Sequence, residues 1–68
     1  MTTSELELQI SDSYFGTCSY SVTRTTIGSD GSITKETKSY SIWAASETHC
    51  NTLANRHVSM LSSGEMQW

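Results

Sequence analysis

The sequence has no proline, only two cysteines and no long hydrophobic run. Nothing approaches the roughly 20 consecutive apolar residues of a membrane-spanning helix. Two cysteines are too few for the disulfide framework of a small secreted domain. Without a proline-rich or repeated stretch to mark a linker, the 68 residues are predicted to form a single domain over residues 1–68.

Basic side chains are also scarce, with four Lys and Arg against seven Asp and Glu, which gives a net charge of −3. This balance disfavours direct binding to nucleic-acid phosphates or to anionic membranes. Residues 1–5 contain neither the basic nor the apolar region of a signal peptide. We therefore expect a cytoplasmic location, in which Cys18 and Cys50 would be free thiols, although both side chains are expected to face the same interface.

What the sequence does contain is a regular alternation of apolar and hydroxyl side chains on both sides of a turn at residues 29–31. Period-two alternation is typical of half-buried strands. It predicts strands at residues 4–11, 14–28 and 32–43. The first two strands are expected to be joined by a turn at Asp12 and Ser13.

The register of the second and third strands follows from the length of their loop. A two-residue loop would place Val22 opposite Ser39 and mix the apolar and polar faces. A three-residue loop with Gly31 in the left-handed conformation instead matches side chains of the same chemistry. It predicts the pairs Ile27–Ile33, Arg24–Glu36, Tyr20–Tyr40 and Cys18–Ile42.

The remaining segment predicts a helix at residues 46–62. Ser46 is a good N-cap, Glu47 suits the positive end of the helix dipole, and Gly64 is a plausible terminator. One face of this helix is largely apolar, with Cys50, Leu53, Ala54, His57, Val58, Met60 and Leu61. The predicted fold class is α+β, a three-stranded antiparallel β-meander with one C-terminal helix packed on one face (β-β-β-α), with the Ile27 and Ile33 end extending past the helix.

The covered face of the sheet is expected to carry Tyr14 with the other apolar strand residues, and the open face to carry mainly Ser and Thr. Phe15 and Trp43 are expected to lie near each other on the open face, because the register places Trp43 opposite Thr17. Two exposed aromatic side chains beside acidic residues suggest an interaction patch. Alternatively, residues 65–68 would fold back over Phe15 and Trp43.

No arrangement of residues points to catalysis, a cofactor or a metal site. The histidines and cysteines lack the spacing of zinc ligands, and Cys50 and His57 would lie about 10 Å apart along the helix. No serine lies in a nucleophile motif, and no glycine-rich phosphate loop is present. We therefore expect a protein that is not an enzyme, with His57 as a half-buried, hydrogen-bonded side chain.

A three-stranded sheet backed by a helix resembles small DNA-binding domains that use the sheet face. Those domains line the sheet with Arg and Lys, whereas this sequence places Glu5 and Glu7 there, with Lys35 as the one certain cation. Such a surface would be repelled by phosphate and attracted to proteins that bind phosphate.

In its short length, acidity, few cysteines and sheet-and-helix pattern, the chain resembles the anti-CRISPR and other anti-defence inhibitors carried by bacteriophages. The resemblance implies a protein partner, namely the basic DNA-binding surface of a nucleic-acid-binding complex such as the CRISPR effector Cascade in an infected bacterial host. The residues expected to bind it are Glu5, Glu7, Asp12, Phe15 and Trp43, with an aromatic side chain as the anchor. The alternative hypothesis is a structural or regulatory interaction module that acts as a homodimer, joined through strand edges or the open sheet face.

Overall fold

The structure, a computed structural model, describes residues 3–68. Its elements are β1 (Thr3–Tyr14), β2 (Thr17–Ile27), β3 (Ile33–Ile42) and α1 (Glu47–Ser63). The three strands form one antiparallel sheet in the order β1-β2-β3, and α1 packs against one face. The predicted β-β-β-α architecture is confirmed. Met1 and Thr2, part of the segment on which the expected location depends, lie outside the described residues.

The β2–β3 hairpin has the predicted register in all four pairs named above, from Cys18–Ile42 to Ile27–Ile33. The Gly28 N–H donates to the Ser32 carbonyl at 2.8 Å, which closes the predicted three-residue loop. Gly31 has a φ of 88°, and the Asp30 side chain accepts a hydrogen bond from the Ser32 N–H at 3.0 Å. Ile27 and Ile33 are both exposed at this end of the sheet.

The expected turn at Asp12 and Ser13 is wrong, because β1 continues to Tyr14. The chain reverses instead at Phe15 and Gly16, where Gly16 has a φ of 83° that favours glycine. The register shifts between Ile10 and Asp12, so β1 contains a β-bulge. The bulge reverses the facing of the residues that follow it, and Tyr14 lies opposite Thr17 on the open face rather than under the helix.

The helix begins and ends close to the predicted residues. The Ser46 hydroxyl accepts a hydrogen bond from the His49 N–H at 3.1 Å, and Gly64 ends the helix in the left-handed conformation. The predicted apolar face is confirmed, since its residues are buried or half-buried while those on the opposite face are exposed. Among residues 3–68, α1 is the sole helix, and it is too short or too polar to cross a membrane.

The hydrophobic core is small. It consists of Cys18, Tyr20, Val22, Ala44, Cys50 and Ala54. Val22 is the largest side chain that is completely buried. Half-buried side chains from β1 and α1 surround this core, including Leu6, Leu8 and Ile10. So few buried atoms leave a narrow margin of stability for a chain of this length.

The expectation of free thiols is wrong, because Cys18 and Cys50 form a disulfide. Cys18 lies on the covered face of β2, and Cys50 lies in the first turn of α1 directly above it. Their Cα atoms are 5.4 Å apart, within the range that a disulfide spans, and neither residue is exposed. The disulfide therefore joins the start of the central strand to the first turn of the helix within the core.

Reduction of this disulfide is expected to lower the free energy of unfolding by about 3–4 kcal/mol, because a loop of this length restricts the unfolded chain. Urea titration of the protein with and without a reductant measures the difference. The Cys18→Ala/Cys50→Ala variant is the control, and its unfolding should not respond to the reductant. Equal stability of the oxidised and reduced protein would contradict this account.

Candidate functional site

The three acidic residues predicted to bind a partner lie on the open face of the sheet. Glu5 pairs with Thr25, Glu7 with Thr23, and Asp12 with Ser19. These β2 partners alternate with the buried side of that strand and therefore point away from α1. Without the β-bulge, Asp12 would point towards the helix. All three acids are exposed, so the open face of β1 presents a row of negative charge.

Hydroxyl side chains separate this acidic row from the far strand. Across β2 and β3, Ser19 pairs with Ser41, Ser21 with Ser39 and Thr23 with Thr37, and the last two hydroxyls are 3.0 Å apart. A shallow depression of about 330 Å³ lies over this surface, lined mainly by Ser11, Ser19, Ser21, Ser39 and Ser41. Lys35, opposite Thr25, is the one cation among residues 3–68 whose strand position faces this side. The open face is therefore acidic along β1 and uncharged at its centre.

The two predicted aromatic anchors lie at the end of the sheet. Phe15 is 76% exposed and Trp43 is 60% exposed, and their rings meet edge to face with centroids 6.2 Å apart. The ladder ends at Cys18–Ile42, so the expected pair of Thr17 and Trp43 does not form. Trp43 instead lies between the β1–β2 turn and the first turn of α1, where its ring is also 6.2 Å from the His49 ring.

Two backbone contacts hold this aromatic end together. The Gly16 N–H donates to the Ala44 carbonyl at 2.7 Å, which ties the β1–β2 turn to the segment before α1. The Ala45 N–H donates to His49 Nδ1 at 2.9 Å. These contacts fix the backbone beside Phe15 and Trp43 while leaving both rings exposed. A rigid, exposed aromatic pair is the kind of feature that anchors protein interfaces.

The five predicted residues do not form a single compact site. Asp12, Phe15 and Trp43 lie towards one end of the sheet. Glu5 lies nine positions before Tyr14, the last residue of β1, and is therefore nearer the β2–β3 turn. At about 3.3 Å per residue, Glu5 and Phe15 are roughly 30 Å apart along the strand. The candidate surface is therefore an extended face with aromatic side chains at one end.

The covered side of the sheet contains a second group of aromatic side chains. The Tyr20 hydroxyl and His57 Nδ1 are hydrogen-bonded at 2.6 Å, which confirms the expected half-buried, partnered His57. The Tyr20 and Tyr40 rings are stacked with centroids 5.3 Å apart. Within the described part of the chain, no three His, Cys, Asp or Glu side chains are placed to hold a metal ion. The ring contacts and the Tyr20–His57 hydrogen bond join α1 to β2 and β3.

The expected alternative in which residues 65–68 cover Phe15 and Trp43 is wrong. Trp68 lies on the covered side, where its indole Nε1 donates to Glu36 Oε2 at 3.1 Å. The Arg24 guanidinium lies 4.8 Å from the centre of the Trp68 ring, and Lys38 Nζ donates to the Trp68 carbonyl. These polar contacts draw the C-terminal segment towards β3 and away from the aromatic end.

Sequence reasoning missed Tyr14, His49 and Trp68 as parts of these surfaces. The sequence contains one indication that Tyr14 lies on the open face. The alternation of β1 predicts an apolar residue at position 12, and a charged Asp12 there indicates that the residues after it switch to the other face of the sheet. Nothing in the local pattern indicates the contacts of His49 with Trp43 or of Trp68 with Arg24. Both depend on residues far away in the sequence.

Comparisons of the chain with protein-family models, with curated proteins and with solved structures found no match.

Burial, together with the neighbouring Tyr40, raises the pKa of Tyr20 above its ordinary value. Tyr20 ionises more readily in the unfolded chain, so its contribution to stability is complete below about pH 10 and is lost as the pH rises through the folded pKa. The free energy of unfolding should therefore fall more steeply above pH 10 in the wild type than in Tyr20→Phe. Urea titrations between pH 8 and pH 11 measure the slopes.

Tyr14→Phe is the matched control for this measurement, because Tyr14 is 58% exposed on the opposite face. It should keep the wild-type slope. Identical slopes for the wild type and Tyr20→Phe would show that Tyr20 is not the group responsible.

Proposed function

We propose that this protein is a non-catalytic binding protein whose open sheet face docks on a basic surface of a protein partner. The observation that carries the proposal is the shared facing of Glu5, Glu7 and Asp12, with Lys35 as the one cation facing the same side in residues 3–68. Rows of one charge steer a partner of the opposite charge and set its orientation. The uncovered hydroxyl surface beside them leaves room for close approach.

Phe15 and Trp43 provide the apolar part of this interface. Both are highly exposed, and their edge-to-face contact together with the Gly16–Ala44 hydrogen bond holds them in place. Aromatic side chains that are already ordered lose little conformational freedom on binding. They therefore serve as the anchor, while the acidic row provides orientation over a longer distance.

The specific target that we propose is the DNA-binding surface of a CRISPR effector such as Cascade, with this chain acting as a phage-encoded anti-CRISPR inhibitor and DNA mimic. Support comes from the small size, the net charge of −3 and the acidic face. An acidic strand on the open face presents negative charges in a row, as a nucleic-acid backbone does. Its action would take place in the cytoplasm of the infected bacterium.

We expect the purified protein to block binding of target DNA by purified Cascade, as measured by gel mobility shift. The Glu5→Lys/Glu7→Lys variant should weaken inhibition by about tenfold or more at low salt, because the acidic row would become basic. Glu65→Lys is the control for charge alone, since Glu65 is exposed and lies beyond the helix, outside the open face. An equal effect per reversed charge of Glu5→Lys/Glu7→Lys and Glu65→Lys would contradict docking through the open face.

Truncation of the anchor is expected to reduce inhibition independently of salt. Phe15→Ala/Trp43→Ala should raise the inhibitory concentration by roughly 30-fold or more, in line with about 2 kcal/mol for a central aromatic contact. Tyr40→Ala on the opposite face is the control, with circular dichroism used to confirm that it folds.

Because a reducing cytoplasm keeps most cysteines as thiols, the assay is run on both the oxidised and the reduced protein. Unchanged inhibition by the double variant would exclude these rings as the anchor.

A further inference from the structure

The outer edge of β3 is a regular strand edge with unpaired backbone groups. The Gly28–Ser32 hydrogen bond sets the alternation of the β2–β3 ladder, in which even-numbered β3 residues bond to β2. The odd-numbered residues from Ile33 to Ser41 therefore direct their N–H and carbonyl groups outwards. The helix backbone packs over β1 and β2 and reaches β3 through side chains, with the His57 ring 4.6 Å from the Tyr40 ring. The helix backbone thus leaves the outward N–H and carbonyl groups of β3 free.

The other edge of the sheet, formed by β1, is less regular and lies closer to the helix. β1 is interrupted by the bulge between Ile10 and Asp12, and α1 packs over it. Bulges and covering elements are the ordinary means by which proteins prevent strands from pairing with further copies. β3 has no bulge and no helix backbone packed over it, although Trp68 contacts Glu36 and Lys38 on its covered face. The positive charges of its lysine side chains restrict which strands can pair with it.

We propose that β3 pairs in antiparallel orientation with β3 of a second copy, around a two-fold axis at Thr37, to form a six-stranded sheet. In an antiparallel pair, directly opposite residues share a face. A two-fold axis through Thr37 places Glu36 opposite Lys38 of the second copy, and Lys38 opposite its Glu36. Lys35, on the open face, lies opposite Ser39.

Charge complementarity selects this register over its neighbours. An axis at Lys38 would place the two Lys38 side chains opposite each other. An axis at Glu36 would place the two Glu36 side chains opposite each other. Like charges directly opposite each other destabilise a strand pair. An axis at Lys35 or Ser39 leaves Glu36 and Lys38 without a charged partner. Only the axis at Thr37 pairs both charged side chains with opposite charges.

The charged side chains are already ordered in one copy. Glu36 Oε1 accepts a hydrogen bond from Arg24 Nη2 at 2.9 Å, and Lys38 Nζ donates to the Trp68 carbonyl. The Arg24 hydrogen bond lowers the pKa of Glu36 below its ordinary value. Ordered side chains lose less conformational freedom when the second copy binds.

The pairing would also bury apolar surface that one copy leaves exposed. A groove of about 470 Å³ runs between β3 and α1, and its lining includes Tyr40, Ile42, Leu53, Met60 and Trp68. In the six-stranded sheet the grooves of the two copies flank the axis on the same side. A chain with so small a core gains stability from this added burial. The open-face acids and the aromatic end are not used, so this inference is independent of the function proposed above.

A pair of charge-reversed variants tests the register. In a dimer of Glu36→Lys, positions 36 and 38 that lie opposite each other would both be lysine. In a dimer of Lys38→Glu, the same two positions would both be glutamate. Each variant should have a dimer dissociation constant at least about tenfold above wild type, measured by sedimentation velocity over a concentration series. An equimolar mixture of the two should dimerise again, because every facing pair then has opposite charges.

Lys35→Glu is the matched control, since Lys35 lies on the same strand but would face Ser39 of the second copy. It should leave the dissociation constant within about twofold of wild type. A wild-type protein that is monomeric at several hundred micromolar would overturn the proposal. So would charge-reversed variants that dimerise as wild type does, because the contact would then lie elsewhere, such as on the open face.

A cross-linking measurement keeps the proposal testable if a charge-reversed variant fails to fold. The two copies of Thr37 would form a hydrogen-bonded pair at the axis, with Cα atoms about 5.5 Å apart, within disulfide range. Thr37→Cys should therefore form a covalent dimer on mild oxidation much faster than Ser39→Cys, whose facing residue is Lys35. Equal rates for the two variants would exclude an axis at Thr37.

Discussion

The Cys18–Cys50 disulfide is the contact on which the rest of the structure depends. The fully buried residues are few and mostly small, so burial of apolar surface alone holds the helix weakly on the sheet. The disulfide fixes the first turn of α1 over the start of β2, at the second residue of that strand. From that point the helix backbone runs along β1 and β2, and β3 is reached through side chains such as His57 and Trp68. The open groove, the free edge and the placement of Trp68 all follow from this position of the helix.

The alternation of side chains was sufficient to predict the β2–β3 hairpin. The four pairs Cys18–Ile42, Tyr20–Tyr40, Arg24–Glu36 and Ile27–Ile33 matched in chemistry, and a shift by one residue would have disrupted all of them. The helix was equally predictable, because Ser46 and Gly64 mark its ends and the apolar spacing marks its buried face. These features depend on residues close together in the sequence or related by a single turn.

The bulge and the disulfide were not predictable in the same way. A bulge depends on how one strand pairs with its neighbour. In the sequence of β1 its one sign is the polar Asp12, which stands where the alternation predicts an apolar residue. Whether two cysteines bond depends on their separation in the fold, which the sequence does not give. Alternation alone predicts that Glu5 and Glu7 lie on the open face. Asp12 and Tyr14 lie there because of the bulge. The distant contacts of Trp68 with Arg24 and Glu36 had no local signal.

The position of the disulfide also divides the chain into a closed ring and two open arms. The ring runs from Cys18 to Cys50 and encloses nearly all of β2, the whole of β3 and the first turn of α1. β1 forms one arm, and the remainder of α1 with the C-terminal segment forms the other. Hydrogen bonds and side-chain packing alone hold each arm to the ring. The acidic strand β1 therefore lies outside the covalently closed hairpin. Local unfolding of β1 from β2 would leave the topology of that hairpin unchanged.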